Sequence, residues 1–545
     1  MGRQSLYGTG VAYPRSRQTV LIVEPTLGFN VSQPETDLPI GQSPESINYF
    51  MREGGLEPRS RLSTVNTNPR PMATAVTGGM EAVSSLGSVY PVISGTTTWA
   101  YYSQGSWSRL SYVGSFVPGG SSSEYYDFTQ IYHPPTDEML AVAGCQSYQT
   151  LLCWSVGTTP IFSTLSQAPR ARYVTSFDNF LLGFNIRDVG SAQSRYVQRV
   201  QWSDRGDPAN WTSVVAGFED LLAAKGEGTR IIDMDNRVIL FFEGEIWVGY
   251  RTSGVASFAF EPLDRTIGTR FSWTITKTPL GVIFLGNDYM LYLLPKEGGS
   301  ATPIGKAVQR RLRTVIDVPE LAHGVYDDNN NWYLLFYAKR GGTGLPTEGV
   351  AFNLTEGTYA PITFDNATGT RSVTRGFAAY LQSATAGLTW DDLSTAGWTW
   401  DTIPYTWDQM QSTSTRVNKT VFLGSSNGTM YHLSSAFSLD DGTPVEARWR
   451  SGALGGDDPE HVKYVNQVRV DCVSNPMSTL TVRPSPDQGA TFTSGQSVSI
   501  PVSSNQTQVT AWVGGAARYP TVELTTEDIG SRLYRLWILM RAGGQ

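Results

Sequence analysis

The chain has 545 residues, a formal net charge of −7, 40% hydrophobic residues and only 16% charged ones, against roughly 25% charged in an average domain. That balance excludes an architecture of long solvated helices, which needs more Lys and Glu, and a protein that grips nucleic acid through a basic stripe. Gly, Ser, Thr, Pro and aromatics fill the shortfall, a mixture suited to many short strands joined by tight turns.

The first segment, 1–90, reads as an N-terminal arm or platform piece. Its opening, MGRQSLYGTG, has no apolar signal core, and no apolar run in the chain approaches a membrane span. One strand stands out at 19–23 and stops at Pro25. The stretch 40–62 reads as extended chain with turns. A short helix is expected to start at 44–48 and to stop at Gly54-Gly55.

From 91 to 435 apolar strands come in pairs joined by Asn, Asp or Gly. Residues 172–177 turn at Asp178-Asn179 into 180–184, and 237–242 turn at Glu243-Gly244 into 245–250. Residues 282–285 turn at Gly286-Asn287-Asp288 into 289–293, 324–326 turn at 327–331 into 332–336, and 420–423 turn at 426–428 into 429–433. These are hairpin signatures. A hairpin cannot bury both faces alone; radial stacking of such units buries each against the next and leaves only short edges. The expected fold is therefore all-β, with a β-propeller at 91–435. Short helices are expected at 218–225 and 306–314. The basic cluster Lys306, Arg310, Arg311 and Arg313 reads as a helix face or interface, with phosphate binding as the alternative.

Within this region lies the run Trp202-Ser-Asp-Arg-Gly-Asp-Pro-Ala-Asn-Trp211. Its interior is turn chemistry, since Gly permits positive φ, Pro fixes φ, and Asp and Asn bond their own backbone. The two tryptophans are expected to fold back and bury their rings together. The Arg205-Gly206-Asp207 tripeptide inside it is explained by the turn. Further on, Thr389-Trp390-Asp391, Thr399-Trp400-Asp401 and Thr406-Trp407-Asp408 repeat one tripeptide. Their tryptophans, with Trp398, read as ring stacking that stiffens a loop, or as partner or glycan contacts.

Beyond about 436 the pattern changes to alternating strands at 445–449, 465–470, 480–482, 498–502, 509–513 and 534–540. This reads as a compact antiparallel β-sandwich. Ser485-Pro-Asp487-Gln-Gly489-Ala-Thr491-Phe492 nearly matches the Asp-box S-x-D-x-G-x-T-W, a folding device with no catalytic role of its own.

Candidate chemistry is sparse. Asp391-Asp392, Asp233 with Asp235, and Asp327-Asp328 read as turn formers, or as glycosidase acid/base pairs whose separation sequence does not give. His133, His323, His432 and His461 fall in no metal-hydrolase pattern. Cys145, Cys153 and Cys472 have no metal-ligand spacing with His. Cys145 and Cys153 sit on a hairpin, either bridged or, as favoured, reduced. No nucleophile elbow or P-loop is present. The expectation is a chain with no enzymatic activity, no cofactor and no metal.

Several segments resemble the propeller-bearing tail nozzle (hub, DNA-stabilisation) proteins of short-tailed bacteriophages. They are the WSDRGDPANWT corner; Pro44-Glu-Ser-Ile-Asn48 with Gly54-Gly-Leu-Glu-Pro-Arg59; and Thr266-Ile-Gly-Thr-Arg270 followed by 278–282 and the Gly286-Asn-Asp288 turn. The Trp-Asp repeats and the β-rich end at 535–541 belong to the same likeness. The resemblance implies a virion tail protein assembled in the host cytoplasm. It implies a homohexameric tube below an adaptor ring, with tail fibres or spikes attached outside and phage DNA passing without sequence recognition. A lumen that does not grip phosphate should be neutral or acidic, which makes Asp327, Asp328, Asn329 and Asn330 candidates for channel-facing positions. The alternatives are a host-glycan-binding tail adhesin using Trp390, Trp398, Trp400 and Trp407, and a propeller glycosidase.

Overall fold

The structure is a computed structural model. It describes residues 18–65, 71–103, 105–113, 124–145, 147, 149–165, 167–187, 194–253, 257–366, 369–381, 419–434, 439–455 and 461–542. The chain divides into two compact units, one made of 1–59 with 445–545 and the other of 60–444. The boundaries therefore fall near 60 and 444, where the sequence suggested 90 and 435.

The larger unit is a β-propeller. Five four-stranded sheets and one eight-stranded sheet, which is two four-stranded blades joined at their rims, make seven blades among the described residues. The joint is a parallel pairing of Ile161–Thr164 with Ser106–Val113. The innermost strands are, in order, Gly78–Val83, Tyr126–His133, Arg170–Phe177, Gly228–Met234, Thr276–Thr278, His323–Asp327 and Arg375–Tyr380. Each touches the next, with the turn Ser272–Thr274 making the contact between blades four and five, and the last touches the first.

The ring is closed by sequence-distant strands. Arg61–Thr64, from before the first blade, is the outermost strand of the seventh and pairs antiparallel with Met430–Ser434. The Leu62 N–H donates to the buried Asp440 carboxylate at 2.7 Å. The hairpins read from the sequence are present. Asp178 and Asn179 both have positive φ, 47° and 59°, the backbone of a tight turn whose twist matches the flanking strands. Phe177 and Phe180 pair across it.

The smaller unit is a two-sheet sandwich that draws on both ends of the chain. One sheet contains Tyr49–Arg52, Gly55–Pro58, Ser531–Ala542, Lys463–Ser474 and Ser503–Ala517, with Gln18–Val23 also on Ser531–Ala542; the other contains Glu45–Ile47, Ala447–Arg450, Thr521–Thr526, Ser478–Ser485 and Gln496–Ile500. Val23, Tyr49, Met51 and Leu56 enter one core with Trp449, Val468, Leu524 and Ile538. Of the segment expected to be an arm or platform piece, the described residues up to 59 are thus part of the sandwich, because their apolar residues complete both sheets, and those from 60 to 90 belong to the propeller unit. Charge follows the same seam. Glu24 pairs with Arg535 at 2.7 Å, Glu35 with Arg450 at 2.8 Å, Glu45 with Arg448 at 3.3 Å and Glu57 with Arg532 at 3.0 Å.

Two expected helices are absent. Residues 45–47 form a strand paired with Ala447–Arg450, and 217–220 form the rim strand of blade three. In both places pairing with a neighbouring strand overrides a weak local preference. The helix at Lys306–Val315 is present, burying Val308 and Leu312 on one side. All three cysteines are unbridged.

Candidate functional site at the propeller axis

Each blade starts at the axis with its first strand, so the first residues of the inner strands gather at one end of the central channel. There the chain places Tyr125 and Asp127 from blade two, Tyr173 from blade three, Arg230 from blade four and Trp273 before blade five. His323 and Arg375 come from blades six and seven. Arg375 lies 4.1 Å over the Trp273 ring and 5.2 Å over Tyr125, and Arg230 lies 4.7 Å over Trp273. Tyr125 and Tyr173 meet Trp273 at ring separations of 5.5 and 5.7 Å. Blade one contributes Gly78, where an added Cβ would meet Phe128, the Tyr126 carbonyl and Ser94 within 3 Å.

The cluster is buried and charged. Asp127 accepts from Arg230 at 2.8 Å and from the Val174 N–H at 3.1 Å. Burial pushes the Asp127 carboxyl above its ordinary range, with Arg230 pulling the other way. Burial, and then the charge of Arg230, pushes Arg375 down to about 9. Burial and the charge of Arg375 push His323 down to about 3, so the ring is neutral; its Nδ1 lies 3.1 Å from the Leu321 carbonyl. Chemically the site offers guanidinium donors, one carboxylate and aromatic faces. Among the described residues no three His, Cys, Asp or Glu side chains converge as metal ligands.

Sequence reading missed this cluster. The signal that could have found it is a charged or imidazole side chain at or near the start of an inner strand: His323 and Arg375 open theirs, and Arg230 is the third residue of Gly228–Met234. Burial then brings these positions together across blades.

The residues singled out from sequence lie elsewhere. Asp327 is buried and caps its own turn, accepting from the Asn329 N–H at 3.2 Å and from Asn330 Nδ2 at 2.5 Å. Asn329 donates to the Lys419 carbonyl of blade seven, so this turn ties two blades together; Asp328 is exposed. Trp390, Trp398, Trp400 and Trp407 lie outside the described residues, as do the Trp-Asp repeats. Asp233 accepts from Thr175 and pairs with Lys277, and Asp235 pairs with Lys296 at 3.2 Å. The Asp-box is a turn device in the sandwich. Asp487 accepts from the Thr491 N–H and hydroxyl, each at 2.6 Å, and Ser485 accepts from the Gly489 N–H at 2.7 Å.

The Trp202–Trp211 corner joins the third and fourth strands of blade three. Its backbone closes by an Asp204–Asp207 bridge, and the Gly206 N–H donates to the Asn179 carbonyl at 2.7 Å. The rings do not pack together as expected. Trp202 joins the core shared with Phe258 and Phe260 of blade four, whereas Trp211 joins Ile131, Leu140 and Leu165 of blade two. The corner staples blade three to both neighbours.

No protein-family model and no curated protein matches the chain. Solved structures are similar to it. They include an exo-beta-1,3-galactanase from Phanerochaete chrysosporium, solved with galactose and, as a point variant, with beta-1,3-galactotriose. The identity is 12% and the TM-score 0.27, over 88% of this chain and 99–100% of that one. A glycoside hydrolase family 43 arabinoxylan arabinofuranohydrolase from Bacillus subtilis is similar at 10% identity and a TM-score of 0.20, over 95% and 99%. The expectation of a chain without enzymatic activity is corrected by these neighbours, which are glycoside hydrolases.

Proposed function

We propose that the chain is the hub, or nozzle, subunit of a short bacteriophage tail, several copies of which close a ring around the exiting genome. The resemblance carried by the WSDRGDPANWT corner and the 54–59 turn motivates this reading. One structural observation carries it: the outward face of the sandwich unit. Val20 pairs with Leu539 and Ile22 with Trp537 across neighbouring strands; on the next strand Gln467 and Arg469 stand opposite Leu539 and Trp537, and Trp512 pairs with Gln467 beyond, while Tyr464 stands opposite Arg541. Val20 is 48%, Tyr464 46% and Trp512 67% exposed. Exposed aromatic and apolar side chains set among polar and basic ones on paired strands are surface suited to a partner. A second copy in head-to-tail contact, repeated to closure, makes a ring.

Six copies, an adaptor ring above and fibres or spikes outside complete the proposal, with DNA passing without base recognition. Native mass spectrometry of the full chain, alone and with the adaptor, tests it. The wild type should assemble, and Trp512→Asp with Ile22→Asp should remain a folded monomer. A wild-type chain that stays monomeric in both settings would end this reading.

A second reading is a propeller that binds or cleaves a glycoside. It is favoured by Asp127, the one carboxyl of the axial cluster, which it shares with the Tyr125, Tyr173 and Trp273 rings. Saturable release of reducing ends from host surface polysaccharide, lost in Asp127→Asn, would establish cleavage. Binding without release would indicate the adhesin.

A further inference from the structure

We propose that the propeller axis binds a small monovalent anion of halide type, held by the guanidinium groups of Arg375 and Arg230. The inference rests on neither functional reading above. It starts from charge. Two guanidinium groups and one carboxylate, Asp127, meet at the axis. Asp127 is committed to Arg230 at 2.8 Å and to the Val174 N–H. Arg375 is only 8% exposed, and its Nη1 is buried with no hydrogen-bond partner; Arg230 Nε is in the same condition.

A buried cation left uncompensated is strongly unfavourable, and Arg375 remains charged at neutral pH because its pKa, though depressed, stays at about 9. The excess of one positive charge calls for a single negative one. Geometry says where it sits. Arg375 lies over Trp273, its Cζ 4.1 Å from the ring centroid. Aromatic rings carry negative faces, so the cation takes the face, and the donors left for an anion are the unpartnered Arg375 Nη1 and Arg230 Nε. Near-complete burial favours a small ion, and the charge balance favours chloride or bromide over sulfate or phosphate.

The full-length chain is melted in sodium chloride–gluconate mixtures at constant ionic strength, and crystals grown in bromide are measured at the bromine absorption edge. Binding to the folded state alone raises Tm saturably with ligand. A rise of about 3 °C is expected as chloride replaces gluconate, absent in Arg375→Gln, with anomalous density on the axis beside Arg375. If Arg375→Gln does not fold, the bromide measurement on the wild type decides. A Tm that follows ionic strength whatever the anion, an unchanged chloride response in the variant, or no bromide at the axis would each overturn the proposal.

Discussion

Trp202 and Trp211, nine residues apart at the two ends of one corner, are buried in different cores. Trp202 meets Phe258 at a ring separation of 5.2 Å, and its Nε1 donates to the Val215 carbonyl. Trp211 turns the other way and donates to the Pro208 carbonyl at 2.8 Å. Removing either ring should cost about 3–5 kcal/mol. Because the two rings share no partners, Trp202→Ala and Trp211→Ala should add to within about 0.5 kcal/mol in denaturant unfolding. A coupling well above that value would mean that one core receives both rings.

The same corner depends on Gly206. Its φ is +76°, and an added Cβ would lie 3.2 Å from Pro134 and 3.1 Å from the Asn179 side chain. Gly341 has nearly the same φ, +74°, with nothing within 4 Å. Gly341→Ala should cost only the conformational penalty, about 1–2 kcal/mol. Gly206→Ala should cost clearly more, since Pro134 is a ring that cannot swing aside. Paired melting curves of the two variants make the comparison, and equal losses would show that the Pro134 contact is yielding.

His323 sets an acid limit. Its folded pKa is depressed to about 3 from an ordinary 6.5, so between those values the unfolded chain holds a proton that the folded chain refuses. Its contribution to stability is complete above pH 6.5 and is lost as pH falls towards 3, at about 1.4 kcal/mol per pH unit. His323→Asn should therefore show a shallower fall of Tm between about pH 6.5 and 4 than the wild type. Parallel curves would mean that His323 takes up its proton without unfolding.

Ring closure rests on one short strand. Asp440 is buried and accepts the Leu62 N–H, so Asp440→Ala leaves that donor without its acceptor at a cost of about 1–3 kcal/mol. Hydrogen exchange at the amides of Arg61–Thr64 should accelerate more than elsewhere in the propeller. Uniform acceleration would show that the seventh blade does not open first.

The seam of the sandwich separates buried from exposed pairing. The Arg450 side chain is 6% exposed and bonds Glu35 twice at 2.8 Å; Arg450→Ala should cost about 3–5 kcal/mol. Arg535, 44% exposed, pairs with Glu24, itself 56% exposed; Arg535→Ala should cost no more than about 1 kcal/mol. Urea unfolding distinguishes them, and a large loss in Arg535→Ala would give the surface pair more weight than its solvent screening allows.

The local layer of this protein is written in its sequence. Asp178-Asn179 specifies a tight hairpin turn because those side chains tolerate positive φ. Alternation at 465–470 specifies a half-buried strand, and the repeated pairing of apolar runs specifies a radial β-architecture, since no hairpin can bury two faces alone. The apolar spacing around Val308 and Leu312 likewise marks the helix at Lys306–Val315. These are short-range effects, decided within a few residues.

What the tertiary structure decided are the pairings between distant parts of the chain. Residues 45–47 became a strand because Ala447–Arg450 offered an edge, and Arg61–Thr64 became the rim of the last blade because Met430–Ser434 lacked a partner. Trp202 and Trp211 parted because a core lies on each side of their blade. The axial meeting of Asp127, Arg230, Trp273, His323 and Arg375 has no short-range signature: those residues lie tens of residues apart, and only the radial arrangement of the blades converts one position per repeat into a single buried, charged cluster.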